Sequence, residues 1–561
     1  MNCRWLAYLL CTLGLISFGY GCKGGGSSEP SYITVLLTQP ESGATEVPVL
    51  ARIGFRVDAD IDEATLSEDT FYLTDEDGAV VPSTVVIGAD DPATAELTPE
   101  QPLSVLTQFT LTVTTGLLST DGRSLEEDYE WRFTTLDSAW GTSQWLEETG
   151  TGTASQAQIA VDGALNAIAA WQYEDLSGAG TFIYANRYTR TDLWGDPVQI
   201  DSGLGAATNP KVAADDAGNG FAVWQRSDDG GSTTNIWSNR SDTNGVWGTP
   251  ELLQNVELTP ARNPSVAADP SGNAIAVWAQ RDLVSGNELV WAIRYEPGAG
   301  WGVAEPIDPM PAPLVGASTA VGMDDEGNAI AVWARQTVGG NVLWANRYTP
   351  GSGWGTAELI KSDTETSARD ERLDVGPSGD AFVVWVQDQD GRDDIWAVRF
   401  SGSAWEAPLR LDDWDGGPKR LPDVAVDGSG VAHAVWSQAD LDFANIWASA
   451  FAPESGWDAP ELIEPPNEDP TQDSDATSPR IDANAAGNVF VVWRQNAASW
   501  GSIWSNRLDP GTGWMTAQTI EKIDRPAGFP NIAVDVDRHA HAVWPHSEAR
   551  GVDWVRTNRF E

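Results

Sequence analysis

The stretch Pro264-Ser-Val-Ala-Ala-Asp-Pro-Ser-Gly-Asn-Ala-Ile-Ala-Val-Trp278 decides the fold, together with Val290-Trp291-Ala-Ile-Arg294-Tyr295 and Gly300-Trp301-Gly302 that follow it. Two short apolar runs flank Asp-x-x-Gly-Asn, which reads as a tight hairpin: Asp bonds the turn backbone and Gly takes a positive φ. The second run, Ala-Ile-Ala-Val-Trp, is apolar on both faces. A half-exposed strand would alternate, so both faces of this one must be covered. We label the four predicted strands of this unit A, B, C and D.

The unit recurs along the chain. The tryptophan ending strand B stands at Trp171, Trp224, Trp278, Trp333, Trp385, Trp436, Trp493 and Trp544, at spacings of 51 to 57 residues. Strand C carries Tyr184, Trp237, Trp291, Trp344, Trp396, Trp447 and Trp504, with Arg556 in the last copy and Trp554 two residues earlier. Strand D carries Trp140, Trp194, Trp247, Trp301, Trp354, Trp405, Trp457 and Trp514. Sheets buried on both faces, stacked side by side and fanning from an axis, describe a β-propeller, and flat indoles fill the widening gaps. The first D strand, Ala139 to about Glu147, precedes any A strand, and the last A–B–C set, Phe529 to Phe560, lacks a D strand. Joining them predicts an eight-bladed ring closed by a split blade, with no open sheet edge. The expected class is all-β: an Ig-like β-sandwich followed by this propeller over residues 139–561. Seven blades or an open array are the alternatives.

Two polar series run with the tryptophans. Asp162, Asp215, Asp269, Asp324, Asp427 and Asp535 stand nine residues before the strand-B Trp, with Gly376 and Asn484 replacing Asp in two copies. The turn is similar to the Asp-box of sialidase-like propellers, but its flanking residues and aromatic spacing differ, so that family is not transferred. Arg187, Arg240, Arg294, Arg347, Arg399, Arg507 and Arg559 recur on strand C, and Ala450 breaks the series. Residues repeated around a ring read as turn formers and inter-blade fixtures rather than as binding sites.

The N-terminus reads as an export signal. Arg4 precedes an apolar run from Leu6 to about Phe18, shorter than the roughly 20 residues of a membrane span. Gly19-Tyr20-Gly21-Cys22 resembles a bacterial lipobox, with Gly19 where a branched aliphatic residue is usual. The resemblance implies lipidation at Cys22, a signal over 1–21 and a flexible tether over 22–30. The alternative is an ordinary cleaved signal without lipid. With Cys3 and Cys11 in the signal, only Cys22 would remain, so disulfides and thiol chemistry are excluded from the folded part.

Between tether and propeller, β-rich stretches at Ile33–Leu37, Ile53–Val57, Thr70–Leu73, Val80–Ile87, Phe109–Val113 and Tyr129–Thr134 are separated by Gly, Asp and Pro clusters. About seven short strands in about 100 residues is the pattern of an immunoglobulin-like sandwich. Pro40, Gly43-Ala44, Val47-Pro48, Ile53-Gly54-Phe55, Ala64-Thr65-Leu66, Pro99, Pro102-Leu103, Asp121-Gly122 and Phe133-Thr134-Thr135 resemble the SbsA-type bacterial Ig-like family. Residues 31–135 are thereby expected to form a spacer or display module with no catalytic residues, ahead of a Trp-rich bacterial β-propeller array.

Composition narrows the partners. Lys plus Arg number 33 against 82 Asp plus Glu, a formal charge of −49. Nucleic acid is disfavoured, because its binding is driven by basic surface. Direct adsorption to anionic membranes is disfavoured too, leaving the lipid anchor as the membrane contact. The acidic excess reads as solubilising surface, with weak calcium sites as the alternative. The expected location is the bacterial cell envelope, as an outer-membrane or cell-surface lipoprotein.

Function is sought where the repeats disagree. The A–B and C–D turns open on one face of the disc and are uniform. The B–C and D–A loops open on the other and vary, and loops on a rigid scaffold carry function. Two tryptophans outside the series fall there: Trp414 in Asp412-Asp413-Trp414-Asp415, and Trp500 in Ala497-Ala498-Ser499-Trp500. An indole beside carboxylates can stack on a sugar while the acids accept its hydroxyl protons; packing over a neighbouring loop is the alternative. Asp388, Asp390, Asp393 and Asp394 adjoin the Trp414 loop and are candidate Ca²⁺ ligands, although no full calcium-loop pattern is present and solvated turn carboxylates explain them as well. His539, His541 and His546 lack the third aligned ligand of a zinc site, and no other cofactor is implied. Three classes follow: a non-catalytic binding or adhesion protein for a glycan or protein, an envelope assembly scaffold, and a propeller glycosidase or lyase. The last should concentrate acids, arginines or a Tyr–Glu pair in pattern-breaking blades, and the repeat series show no such constellation.

Overall fold

The computed structural model describes residues 31–47, 52–75, 78–88, 91–99, 103, 107–135, 139–147, 152–201, 205–227, 233–254, 260–282, 286–308, 318–361, 366–389, 391–412, 417–439, 443–464, 475–497, 500–521, 525–547 and 552–560. The chain forms two compact units, Met1–Ser138 and Ala139–Glu561. Both are all-β.

The first unit is a sandwich of two four-stranded sheets. One runs Val35–Gln39, Ile53–Val57, Thr94–Pro99, Ser83–Ile87 in spatial order; the other runs Ala44–Val47, Tyr129–Thr135, Gln108–Val113, Phe71–Thr74. Alternation sets the faces: along Thr94–Pro99, Ala95 and Leu97 are buried while Glu96 and Thr98 are exposed. The inner faces meet on Trp131, stacked at 6.1 Å on Phe71 with Phe55 edge-on to it.

The second unit is a β-propeller. Among the described residues, eight antiparallel units each run A–B–C. Their first strands are Thr153–Val161, Ala206–Ala214, Ala261–Ala268, Thr319–Met323, Ser367–Val375, Lys419–Val426, Ala476–Ala483 and Asn531–Val534. Each A strand touches the A strand of the unit before and after, and the last touches the first, so the A strands line a closed axis. Strand B is covered on both sides as its composition demands, and all eight of its tryptophans are fully buried.

Register fixes why the tryptophans repeat. Trp224 lies opposite Trp237, Trp278 opposite Trp291 and Trp493 opposite Trp504. In the last unit Trp544 faces Arg556. Strand D adds its Trp beside the strand-C aromatic, as in Tyr295 opposite Trp301 and Phe451 opposite Trp457. The split blade closes as expected. Gln144–Trp145 pairs with Asp553–Phe560, Trp145 opposite Arg556 and Gln144 opposite Thr557. Trp140 bridges to Phe560, and the Arg556 guanidinium lies 3.5 Å over the Trp145 ring.

The Asn-Arg pair of strand C is a two-way clamp between blades. Asn239 donates back to the Ile200 carbonyl at 2.8 Å, Asn346 to Ile307 at 2.8 Å, Asn506 to Ile463 at 2.7 Å and Asn558 to Ile520 at 2.9 Å. Across the seam Asn186 reaches Leu146 at 3.3 Å. The arginine points forward and stacks on the strand-C aromatic of the next blade: Arg294 over Tyr348, Arg347 over Phe400, Arg399 over Phe451 and Arg507 over Phe560, at 4.8–5.5 Å. Arg559 closes the circle over Tyr188 at 4.9 Å. Where Ala450 replaces the arginine, the next blade carries Leu508 in place of the aromatic. The expected inter-blade role therefore stands, by cation–π stacking rather than hydrogen bonding alone.

Candidate functional site

On the turn face the repeated aspartates are engaged in their own hairpins. Asp162 accepts the backbone N–H of Ala164 and Asn166 at 2.9 and 2.8 Å, and Asn219, Asn273 and Asn328 give Asp215, Asp269 and Asp324 the same bond. A cleft of about 310 Å³ opens there beside Asp427, His433 and Asp509. Asp427 takes the N–H groups of Ser429 and Val431, and Asp509 takes Arg538 at 2.7 Å. These side chains hold turns.

The candidates of the opposite face separate. Trp414, Asp413, Asp415, Asp390 and Cys22 lie outside the described residues. Trp500 does not sit in a loop: it begins strand C of its blade, opposite Ala497. The candidate calcium loop is a tight hairpin with Asp388 opposite Asp393. Asp388 accepts Gly391 N–H at 3.0 Å, and Asp393 pairs with Arg369 at 2.7 Å.

Asp394 and Asp412 are core groups, which corrects their reading as metal or ligand acceptors. Both are buried with Lys419. The Lys419 ammonium lies 3.4 Å from Asp394 and 3.1 Å from Asp412; Arg410 lies 3.4 and 2.7 Å from the same pair, and Arg392 adds 3.2 Å to Asp394. Asp412 also accepts Ile395 N–H at 2.7 Å. Carboxylates so neutralised have no charge left for Ca²⁺. Among the described residues no group of three His, Cys, Asp or Glu is arranged to hold a metal.

Asp412 belongs to a series that the sequence reading missed. One buried polar residue follows the aliphatic end of each strand D: Glu147, Asp201, Gln254, Asp308, Lys361, Asp412, Glu464 and Glu521. Glu147 accepts the Trp171 indole N–H at 2.5 Å, Gln254 accepts Ile236 N–H at 3.0 Å, and Glu521 lies 2.9 Å from His546. Their identities vary while their position does not, so only aligned strand ends would have revealed them. Burial pushes the Glu147 carboxyl up to about 7, against the indole bond that lowers it.

The axis is a second place where blades differ in charge. Four residues before each A–B turn stand Gln158, Lys211, Ser265, Ala320, Arg372, Asp423, Arg480 and Asn531, each opposite the residue before the strand-B Trp. That partner is valine in seven blades and Ala170 in one. In six blades a bulge precedes this level, and its residue takes a left-handed backbone: Gln156, Asn209, Asn263, Asp370, Leu421 and Ser478, with φ of 51–57°. Bulges re-aim neighbouring side chains, and such strain is retained where the surroundings enforce it. One level nearer the A–B turns, Asp374 accepts Val426 N–H and Asp482 accepts Val534 N–H, both at 2.7 Å and both from the next blade. Burial pushes both carboxyls up to about 7, so they can give or take a proton near neutrality.

No curated protein matches the chain. Among solved structures, the β-propeller domain of the Trilobed protease from Pyrococcus furiosus aligns with a TM-score of 0.40 at 8% identity, over 67% of this chain and 98% of that one. Hadza microbial sialidase Hz136 aligns with a TM-score of 0.35 at 13% identity, over 72% and 93%. The six-bladed lectin of Aleuria aurantia aligns with a TM-score of 0.30 at 10% identity, over 56% and 94%. For the N-terminal unit, residues 29–135 match the family model of the bacterial Ig-like domain, Big_5.

Proposed function

We propose that this chain is an exported, envelope-anchored, non-catalytic binding protein whose propeller engages a glycan or a protein through its B–C and D–A loop face. The signal-like N-terminus and Cys22 would supply the anchor, and the Ig-like unit would act as spacer. One observation carries the reading: the polar residues that recur in the blades are consumed by the scaffold. The turn aspartates bond their own hairpins, and six of the seven strand-C arginines stack on the next blade, while Arg187 binds the Gly218 carbonyl and Asp162. Specificity is thereby left to residues that differ between blades. Trp414 and Trp500 are the proposed ligand platforms, since an indole supplies rigid apolar area with a polar edge.

The test is a glycan array probed with the full chain and with a Trp414→Ala/Trp500→Ala variant. The reading predicts binding by the parent and a loss of about tenfold or more in the variant, in line with two stacking contacts of about 0.5–1.5 kcal/mol each. Equal binding by both proteins would remove the two tryptophans from the site. Turnover of a bound polysaccharide would replace the non-catalytic reading with an enzymatic one.

A further inference from the structure

In a chain of formal charge −49, one axial level of the propeller carries three cations and one carboxylate. Lys211, Arg372, Arg480 and Asp423 come from four blades at one register level, and all four are half-buried. Their neutralisation is incomplete. The Lys211 ammonium has the neutral Gln158 amide oxygen at 3.3 Å. Arg480 donates to the carbonyl of its neighbour Pro479 at 3.0 Å. Arg372 donates to the Glu371 carbonyl at 3.1 Å and lies 3.7 Å from Asp423, whose other oxygen accepts Ile481 N–H at 3.2 Å. Lys419 shows how the same propeller treats a structural cation, with two carboxylates at 3.1 and 3.4 Å.

We propose that this axial level is a binding site for a small ligand bearing an anionic oxygen group, a carboxylate or a phosphate, held by Lys211, Arg372 and Arg480 with Gln158 and Asn531 beside them. Half-buried cations that outnumber their counter-charge are costly and are found where a partner completes them. A carboxylate or phosphate suits two guanidinium forks and one ammonium. The cations feel one another: burial first, then Arg372 and Arg480, pull the Lys211 amine down to about 8, and Asp423 opposes them. Asp374 and Asp482, one level away, have carboxyls near 7 and so carry reduced negative charge at neutral pH. Asp423 sets the Arg372 side chain and leaves the level net positive. This site is separate from the loop-face tryptophans, and each stands or falls without the other.

The test is calorimetric titration of the full chain with sodium glucuronate, inorganic phosphate and glucose at constant ionic strength. The expected result is saturable binding of at least one anion and none of glucose. Glucuronate alone would identify a carboxylate ligand and phosphate alone a phosphate. Lys211→Met and Arg480→Met should each weaken binding about tenfold or more, the effect of losing one charge-assisted hydrogen bond, while Trp414→Ala/Trp500→Ala leaves it unchanged. Without ligand, Lys211→Met should melt at or above the parent temperature, because it removes like-charge repulsion. Failure of both anions to saturate, equal affinity in Lys211→Met, or a clear drop in its ligand-free melting temperature would each overturn the proposal.

Discussion

The strand-B tryptophan level and the axial level of the propeller lie one residue apart in register and obey opposite rules. At the first, eight blades carry the same fully buried indole. At the second, the same strands' partners carry Gln, Lys, Ser, Ala, Arg, Asp, Arg and Asn in turn. The difference teaches where repetition serves packing and where it is released. An indole between two stacked sheets is fully buried in every blade, although its N–H meets Glu147 in one and Gln280 in another, so one residue solves eight similar packing problems. The axis is shared by all eight blades at once. A charge contributed by one of them changes the field for the rest, so identical residues there would only add like charge.

Breaking the uniform level should have the largest effect. Trp278→Ala should lower unfolding free energy by about 3–5 kcal/mol in denaturant titration, as a large buried side chain lost to a cavity, and Trp224→Ala should match it. A neutral outcome at either would mean that the blades are not equivalent. Next comes the contrast between two lysines: Lys419→Met removes the buried cation shared by Asp394 and Asp412, leaving them to Arg410 and Arg392, and should cost about 1.5–3 kcal/mol, whereas Lys211→Met on the axis should cost nothing.

The third prediction concerns pH. The carboxyls of Asp374, Asp482 and Glu147 are raised by burial to about 7 in the fold, above their unfolded values near 4. The folded chain therefore holds protons that the unfolded chain releases, and the stability they contribute is present below pH 4 and lost as pH rises through 7. His541, pushed down to about 3 by burial, opposes this below pH 6.5. Three carboxyls outweigh one imidazole, so the melting temperature should be higher at pH 5.5 than at pH 8. The Asp374→Asn/Asp482→Asn variant should show a flatter profile, and an unchanged profile would contradict the assignment. The smallest effect should come from rebuilding one of the two absent stacks, that between the sixth and seventh blades. Ala450→Arg or Leu508→Tyr alone should be near neutral, and together they should gain about 0.5–1 kcal/mol.

The tryptophan series made the ring legible, because each indole marks a register pair and the phase shift of Trp140 exposes the split blade. The sandwich was legible as a class, although Ala44–Val47 and Thr94–Pro99 were not singled out as strands. The Arg-Tyr dipeptide of strand C misleads when read locally. Arg294 does not use Tyr295; it stacks on Tyr348, one repeat further on, and no local pattern encodes that reach. Asp412 looked like a surface acid because three carboxylates and an indole crowd Asp412–Asp415. Its position at the end of strand D, beside Leu411, buries it instead. The axial cations were hidden for a related reason. Lys211, Arg372 and Arg480 share a level but no residue type, so a search for recurring residues passes over them. Aligning the A strands on the turn and asking where polar residues face valine would have found them.

Everything built on the axis requires the ring to be closed by Gln144–Trp145 beside Asp553–Phe560. Opposed residues of neighbouring antiparallel strands bring their Cα atoms within disulfide range. A Gln144→Cys/Thr557→Cys protein, with its native cysteines replaced, should cross-link intramolecularly in the folded state under mild oxidation and melt at a higher temperature than its reduced form. Folded protein that stays reduced, or that cross-links only between molecules, would contradict the closed ring.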